Sequence, residues 1–340
     1  MTRNLFRLNQ PEEYRKAGPS DLIEMLPVPG HHPIFLRKAD LEALTFSICT
    51  FETCHLSGPT GTAKSSLLEA LDRVPANFRA LCAALGFSEM PLRLFPVEMV
   101  IYETPGELYQ RRALREGTTF DEKSRLVECL EEACRLRGKA YPLIWLRELG
   151  RVHSPSVQGG LLDMMTRGDI ILSDGTRING QGISWVADSN YQAEQDATHT
   201  LVAFDDALKR RFSVNITLNY LSAEQETQVV REILKSTSPE SDLSQRDGLI
   251  EKGVQLGHAV RRQKAEGNLL SVPAPTIWGY LAFLRMGVHL PHLTPQQVAM
   301  STLLGLCSRE DRKQVSAVLN EVFGLQAYDG EDPAINLNLF

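Results

Sequence analysis

The 340-residue sequence contains no uninterrupted apolar run of ~18 or more residues, the length a membrane-spanning helix needs, so no membrane span is expected. Its first residues, MTRNLFRLNQPEEYRK, are polar and lack the apolar segment of a signal peptide, which points to a cytoplasmic protein. The six cysteines (Cys49, Cys54, Cys82, Cys129, Cys134, Cys307) form no CxxC pair, so reduced and mostly buried thiols are expected rather than a metal ribbon or a disulfide framework. The eight histidines are scattered. His289 and His292 are three apart, but Pro291 separates them and no Cys or acid cluster lies nearby, so they read as loop residues. Basic charge is not in excess: 36 Lys and Arg face 42 Asp and Glu, a net charge of -6. That argues against a protein built mainly to coat nucleic acid, although a local basic groove remains open. There is no repeat and no low-complexity tract. The composition has the ordinary balance of a globular protein, 43% hydrophobic and 23% charged, in a chain long enough for two domains.

Apolar strands alternate with helical stretches from about residue 50. The strand candidates are Cys54–Ser57, Val97–Tyr102, Leu143–Leu146, Ile183–Ala187 and Val214–Leu218, with helices such as Ser65–Leu71 and Ser124–Arg137 between them. This alternation predicts an α/β fold: a parallel sheet sandwiched by helices. Before it lies a lead-in with short helical pieces at Asp21–Leu26 and Ala39–Leu44. After Tyr220 the strands stop. Ala223–Leu234, Arg246–Glu266, Thr276–Met286, Pro295–Leu304 and Arg309–Phe323 read as helices, with loops at Ser236–Ser244 and Gly267–Pro275. The expected organisation is an α/β domain over 1–220, a small all-α lid domain over 221–325 and a tail over 326–340. The tail reads either as a segment packed on its own chain or as a docking peptide.

The strongest local signal is Leu56-Ser57-Gly58-Pro59-Thr60-Gly61-Thr62-Ala63-Lys64-Ser65, with Ser66 next. A strand ends, a Gly-rich loop turns and a helix begins. Backbone N–H groups in such a loop cradle phosphates, Lys64 adds a point charge, and the Ser65 hydroxyl can ligate Mg²⁺. The pattern is G-x-x-x-x-G-K-[ST], except that Ala63 replaces its last Gly. Ala is tolerated there if its φ is negative.

This loop and the segments C-terminal to it resemble the AAA+ ATPases, and within them the MoxR-like and dynein-related group, over roughly residues 35–325. The form G-P-x-G-x-A-K-S, the segment Glu103–Leu108 with Arg111, Arg112 and Gly117-Thr118-Thr119, the helix Ser154–Met165 and the stretch Asp169–Ile178 carry the likeness. Asp174-Gly175 is a hairpin signal by its own turn chemistry, where the group places a pre-sensor hairpin. The resemblance implies ATP and Mg²⁺ as ligands. It also implies a homo-oligomeric ring, a hexamer, that remodels or loads a protein partner, with a von Willebrand A-type protein as the partner the family suggests.

In the group, the strand Pro142–Arg147 would end in Asp-Glu, the Asp holding Mg²⁺ and the Glu polarising water. Glu148 fits the second role, but Arg147 stands at the Asp position. A cation about 7 Å from Mg²⁺, at an effective dielectric of ~20, is repelled by a few kcal/mol. Four readings stay open: metal binding and hydrolysis are weakened, Arg147 neutralises phosphate charge, another acid such as Asp188 stands in, or Arg147 turns out and pairs with a carboxylate. Asn190 matches the group's first sensor, against a plain strand-end turn. Arg211, with Arg210 second, matches the arginine finger that acts in trans, against a basic helix end paired with Asp205 and Asp206. Thr276 stands where a second sensor Arg is expected, and Arg285 lies too far along to replace it. Trp145, Trp185 and Trp278 are expected in the core. Arg111, Arg112, Arg115 and Lys123 read as a solvated basic face or a pore lining. Two alternatives to the motor remain: an ATP-gated assembly scaffold with little hydrolysis, and a nucleic-acid-associated component resembling the McrB-type GTPases, which the acidic charge disfavours.

Overall fold

The computed structural model describes residues 5–115, 117–152, 154–167, 169–190, 205–237, 243–269, 271–305, 307–308 and 310–324. The tail over 326–340 lies outside the described residues. The chain forms two compact units, one ending at Asn219 and the other beginning at Tyr220.

The lead-in is built from β1 (Leu5–Arg7), α1 (Pro11–Lys16), β2 (Leu22–Met25), β3 (Ile34–Arg37) and α2 (Lys38–Cys49). β2 pairs parallel with β1 and antiparallel with β3. The helix expected over Asp21–Leu26 is therefore a strand. Leu22, Ile23 and Met25 are all fully buried, so this short apolar run satisfies two faces of a sheet, where a helix would have left one side wet. The helix at Ala39–Leu44 is present as part of α2.

The main sheet comes next. The chain runs through β4 (Thr53–Ser57), α3 (Lys64–Arg73), α4 (Pro75–Leu85), β5 (Leu92–Glu98), the hairpin β6 (Gln110–Arg115) and β7 (Thr118–Lys123), α5 (Arg125–Arg135) and β8 (Tyr141–Arg147). It continues through α6 (Pro155–Arg167), the hairpin β9 (Asp169–Ile171) and β10 (Arg177–Asn179), β11 (Ser184–Ser189), α7 (Asp206–Lys209) and β12 (Val214–Thr217). Five strands form one parallel sheet in the order β12-β4-β11-β8-β5. The expected α/β architecture is thus present: a P-loop-type parallel sheet with helices on both faces, and after it an all-helical unit.

The period of two along the strands divides the core. Leu143 and Trp145 of β8, Val186 of β11 and Leu56 of β4 pack with α2, α3 and α4 on one face. Ile144 and Leu146, with Trp185 and Ala187, pack with α5 and α6 on the other. β8 and β11 are buried almost throughout, as central parallel strands must be. The strand expected at Val97–Tyr102 runs instead over Leu92–Glu98 and then tightens into a 3-10 turn at Met99–Ile101. Pro96 obscured it. A proline is tolerated because, among the described residues, β5 pairs only with β8 and is an edge strand.

The Asp174-Gly175 hairpin forms as expected, with Gly175 at φ 81°. The basic stretch becomes the β6–β7 hairpin. Arg111 pairs with Glu122 at 2.7 Å, Arg112 with Asp121 at 3.9 Å and Lys123 with Glu131 at 2.5 Å. These pairs make it a solvated, charge-balanced face. Trp145 and Trp185 are core residues, but Trp278 is 57% exposed on its helix, contrary to expectation. All six cysteines are free thiols, four of them buried.

The second unit holds α8 (Ala223–Thr237), α9 (Leu243–Ala265), α10 (Ile277–His289), α11 (Pro295–Thr302) and α12 (Arg312–Phe323). His289 is the last residue of α10 and not a loop residue. The ends of the loop expected at Ser236–Ser244 are helical, and residues 238–242 lie outside the described residues. Glu226 ties α8, α9 and α10 together: it is 2% exposed and accepts from Arg261 at 2.8 Å, His258 at 3.0 Å and the Tyr280 hydroxyl at 3.0 Å. The Tyr280 hydroxyl reaches it by lying against Gly257, where an added Cβ would meet that oxygen at 2.1 Å. Gly257→Ala should therefore destabilise the protein by roughly 2–3 kcal/mol through overpacking and the displaced hydrogen bond. Gly248→Ala, on the same helix in open space, should stabilise by about 0.5–1 kcal/mol. Denaturant unfolding monitored by circular dichroism checks both, and equal effects would refute the assignment.

Candidate functional site

The loop after β4 is set by backbone geometry. Leu218 N–H donates to Ser57 O at 2.9 Å and draws the end of β12 against the loop. Gly58 has φ 148°, and a Cβ there would lie 2.2 Å from Leu218 O, so only glycine fits. Gly61 at φ 85° supplies the next turn, and Thr62 Oγ1 donates to Pro59 O at 2.9 Å across it. Ala63 departs from expectation: its φ is +65°, in the left-handed region, and not negative. The loop keeps the shape a glycine would give it, at a cost of about 1 kcal/mol for the Cβ.

α3 begins at once with Lys64. Its N-terminus has no side-chain cap, and the first ladder bond runs from Leu67 N–H to Ala63 O at 2.8 Å. The N–H groups of Lys64, Ser65 and Ser66 are therefore the orphan donors of the helix start, where the dipole favours an anion. Lys64 is buried and its ammonium folds back to donate to Gly58 O at 2.7 Å and Pro59 O at 2.8 Å. Burial pushes its pKa down to about 8, against the upward pull of Asp188 and Glu148.

The parallel register brings the other candidates to the same edge. Ser189 lies opposite Ser57, so Asn190 stands level with Gly58. Ala187 lies opposite Leu146, so Asp188 stands level with Arg147. Asp188 is 5% exposed, and its Oδ1 accepts from Trp145 Nε1 at 3.0 Å and from the Glu148 N–H at 2.9 Å. Burial raises its pKa, opposed by these two bonds and by Lys64 and Arg147. Glu148 turns the corner at the end of β8 with φ 52°, and its carboxylate pairs with Arg151 at 3.1 Å.

Arg147 takes the turned-out course. It pairs with Glu98, its register partner on β5, and its guanidinium lies 4.7 Å from the Trp145 ring centre. Glu98 and Arg151 were not singled out in the sequence. Arg151 was legible as a cation three residues after Glu148. Glu98 does not stand out in the sequence because the apolar run Val97–Tyr102 carries the expected strand past it, whereas β5 ends on it. No sequence motif marks His55 either; its Nε2 lies 2.8 Å from Ser189 Oγ, and burial pushes its pKa down to about 4.

Arg210 and Arg211 come directly after the one-turn helix α7. Asp205 caps that helix on Ala207 N–H at 2.8 Å, and Asp206 pairs with Lys209 at 3.1 Å. Both arginines are exposed, and neither makes an ion pair among the described residues. Arg211 O accepts from Thr53 Oγ1, which places it at the start of β4. The phosphate-loop candidate begins at the other end of that strand, about 13 Å further on. The structure thus brings Lys64, Ser65, Asp188, Glu148 and Asn190 to one edge and leaves Arg210 and Arg211 at the opposite one.

No protein-family model matches the sequence, and no curated protein does. Among solved structures, a protein of Cytophaga hutchinsonii assigned as an ATPase is 15% identical, with 84% of this chain and 89% of that one covered and a TM-score of 0.38. The RuvB Holliday junction branch migration motor of Thermotoga maritima is 10% identical, with 84% and 75% covered and a TM-score of 0.44. At these values the strand order and the loop geometry carry the fold description by themselves. Among the described residues no helix is long and apolar enough to cross a membrane, and no group of three or more His, Cys, Asp or Glu is placed to hold a metal.

The left-handed Ala63 gives a direct test of the loop. Ala63→Gly should stabilise the chain by a few tenths of a kcal/mol, because relief of a Cβ penalty of about 1–2 kcal/mol at that φ outweighs glycine's extra entropy cost of roughly 0.5–1 kcal/mol. A destabilisation measured by chemical unfolding would show that the loop does not hold this conformation.

Proposed function

We propose that the chain is a cytoplasmic, MoxR-like AAA+ ATPase that works as a homo-oligomeric ring, a hexamer on the family pattern, and remodels or loads a protein partner, of von Willebrand A type on the same pattern. The observation that carries the nucleotide reading is the uncapped start of α3 beside Lys64, at the carboxyl edge of a parallel sheet, where such folds bind ligands. The loop fits a polyphosphate: the N–H groups at residues 64–66 are orphan donors, and Gly58 leaves room for no side chain. Gly58 to Ser66 would hold the phosphates. Lys64 would exchange its two loop carbonyls for phosphate oxygens. Mg²⁺, carried in with the nucleotide and faced by Ser65, would neutralise charge on the transferred phosphoryl group. Glu148, once released from Arg151, would orient the attacking water, and Asn190 would hold it. Arg211, remote from its own loop and without an ion pair among the described residues, would complete the site of a neighbouring subunit, with Arg210 beside it.

A second reading has its own support. With Arg147 at the metal-acid position and the Glu148 carboxylate engaged by Arg151, the same site suits an ATP-gated scaffold that binds and assembles with little turnover. Steady-state ATP and GTP hydrolysis with Mg²⁺ separates the two. The motor predicts turnover that Glu148→Gln removes. It further predicts partial recovery when Arg211→Ala and Glu148→Gln subunits are mixed, because some interfaces then hold both working groups. Lys64→Ala should abolish nucleotide binding in either case, and unchanged affinity would sink the loop assignment.

The depressed pKa of Lys64 predicts proton-linked binding. The free ammonium titrates at about 8, below its ordinary 10.5. Bound phosphate adds negative charge and raises it. Between these values binding must therefore take up protons, whereas well below pH 8 Lys64 is already charged and uptake vanishes. Calorimetry of ADP binding in buffers of different ionisation enthalpy, at pH 6.5 and pH 9, should show uptake only at the higher pH. No uptake at pH 9 would refute this.

A further inference from the structure

Resting on the proposed nucleotide binding, we propose that the carboxylate facing the Mg²⁺ of a bound nucleotide has moved one strand over, from the end of β8 to Asp188 of β11. Three observations converge. The first is that Arg147, on the same face and close enough for its charge to act on Asp188, is engaged on its β5 side by Glu98 and the Trp145 ring. The second is that Asp188 stands level with Arg147 on the same sheet face as Val186 and Trp145, the face that α3 covers. An acid there lies beneath the start of the helix that carries Lys64 and Ser65. The third is that Asp188 is held by one oxygen only. Its Oδ1 takes the Trp145 and Glu148 N–H groups, while Oδ2 accepts no hydrogen bond among the described residues. Fixing one oxygen by two donors orients the other, as the outer partners of a metal-facing carboxylate do.

The charge pattern agrees. Glu98 offsets Arg147, so the cation at the old acid position does not stand alone against a metal. Asp188 then faces Lys64 as the remaining anion beside Glu148. The neighbouring strand can take over this role because a parallel register places equivalent residues of adjacent strands about 5 Å apart.

The test compares binding of a fluorescent ATP analogue in EDTA and in Mg²⁺. In the wild-type chain Mg²⁺ should tighten binding about tenfold, and in Asp188→Asn the two affinities should agree within about twofold. Asn keeps an acceptor for Trp145 and Glu148, so binding in EDTA should survive. A full Mg²⁺ effect in Asp188→Asn would overturn the proposal, as would wild-type binding indifferent to Mg²⁺. Absence of wild-type binding under both conditions would instead refute the nucleotide reading on which this rests. Should Asp188→Asn fail to fold, a crystal structure of the wild-type chain with Mg²⁺ and a non-hydrolysable ATP analogue decides. The metal contacting Asp188, directly or through one water, is expected. A metal whose shell reaches Glu98 or Glu148 and not Asp188 would overturn it.

Discussion

The buried carboxylate of Asp188 is the interaction on which the candidate site depends. Its Oδ1 draws together a side-chain N–H of β8 and the backbone N–H of Glu148. Without that acceptor both donors would be left unpaired, at a cost of about 1–3 kcal/mol each where they are sealed from water. The same bond fixes the left-handed turn at Glu148, and so the direction in which that side chain leaves the strand. A lone buried carboxylate is costly. Here two hydrogen bonds and the nearby Lys64 and Arg147 charges offset its desolvation. Lys64 in turn is buried and satisfied by two loop carbonyls, so the site is a set of mutually compensating polar groups.

Arg147 is held far less firmly. The side chains of Arg147 and Glu98 are 36% and 44% exposed, and a pair at that exposure contributes about 0–1 kcal/mol. The contact with Trp145 adds a similar amount. Arg261 and Glu226 in the helical unit make the contrast, with side chains 9% and 3% exposed. Removing either of those would strand a buried charge, which costs several kcal/mol. The helical unit is thus built around an ion pair it cannot lose, whereas Arg147 rests in place by two weak contacts at a strand end.

Much of the architecture was legible in the residues. A Gly-rich loop between an apolar strand and Lys-Ser reads locally, because loop shape and helix start are set by neighbouring residues. The Asp-Gly hairpin reads for the same reason. The misreadings have physical causes too. Leu22–Met25 is too short for its period to distinguish helix from strand. Pro96 masks a strand that is an edge strand among the described residues, where a proline is tolerated. The general preference of tryptophan for the interior predicts a buried Trp278, but an individual helix face need not obey it.

The sequence by itself determined the alternation of strands and helices, the phosphate-loop candidate and the presence of a cation where an acid was expected, since each is written in contiguous residues. Only the tertiary structure decided where that cation points and which acid lies beside Lys64. Both depend on the register of β5, β8 and β11, strands separated by dozens of residues whose alignment is fixed by packing on both faces of the sheet. It also decided the sign of φ at Ala63: the close approach of Leu218 to Gly58 and the start of α3 over-determine the loop, and a small steric penalty at one residue yields to them.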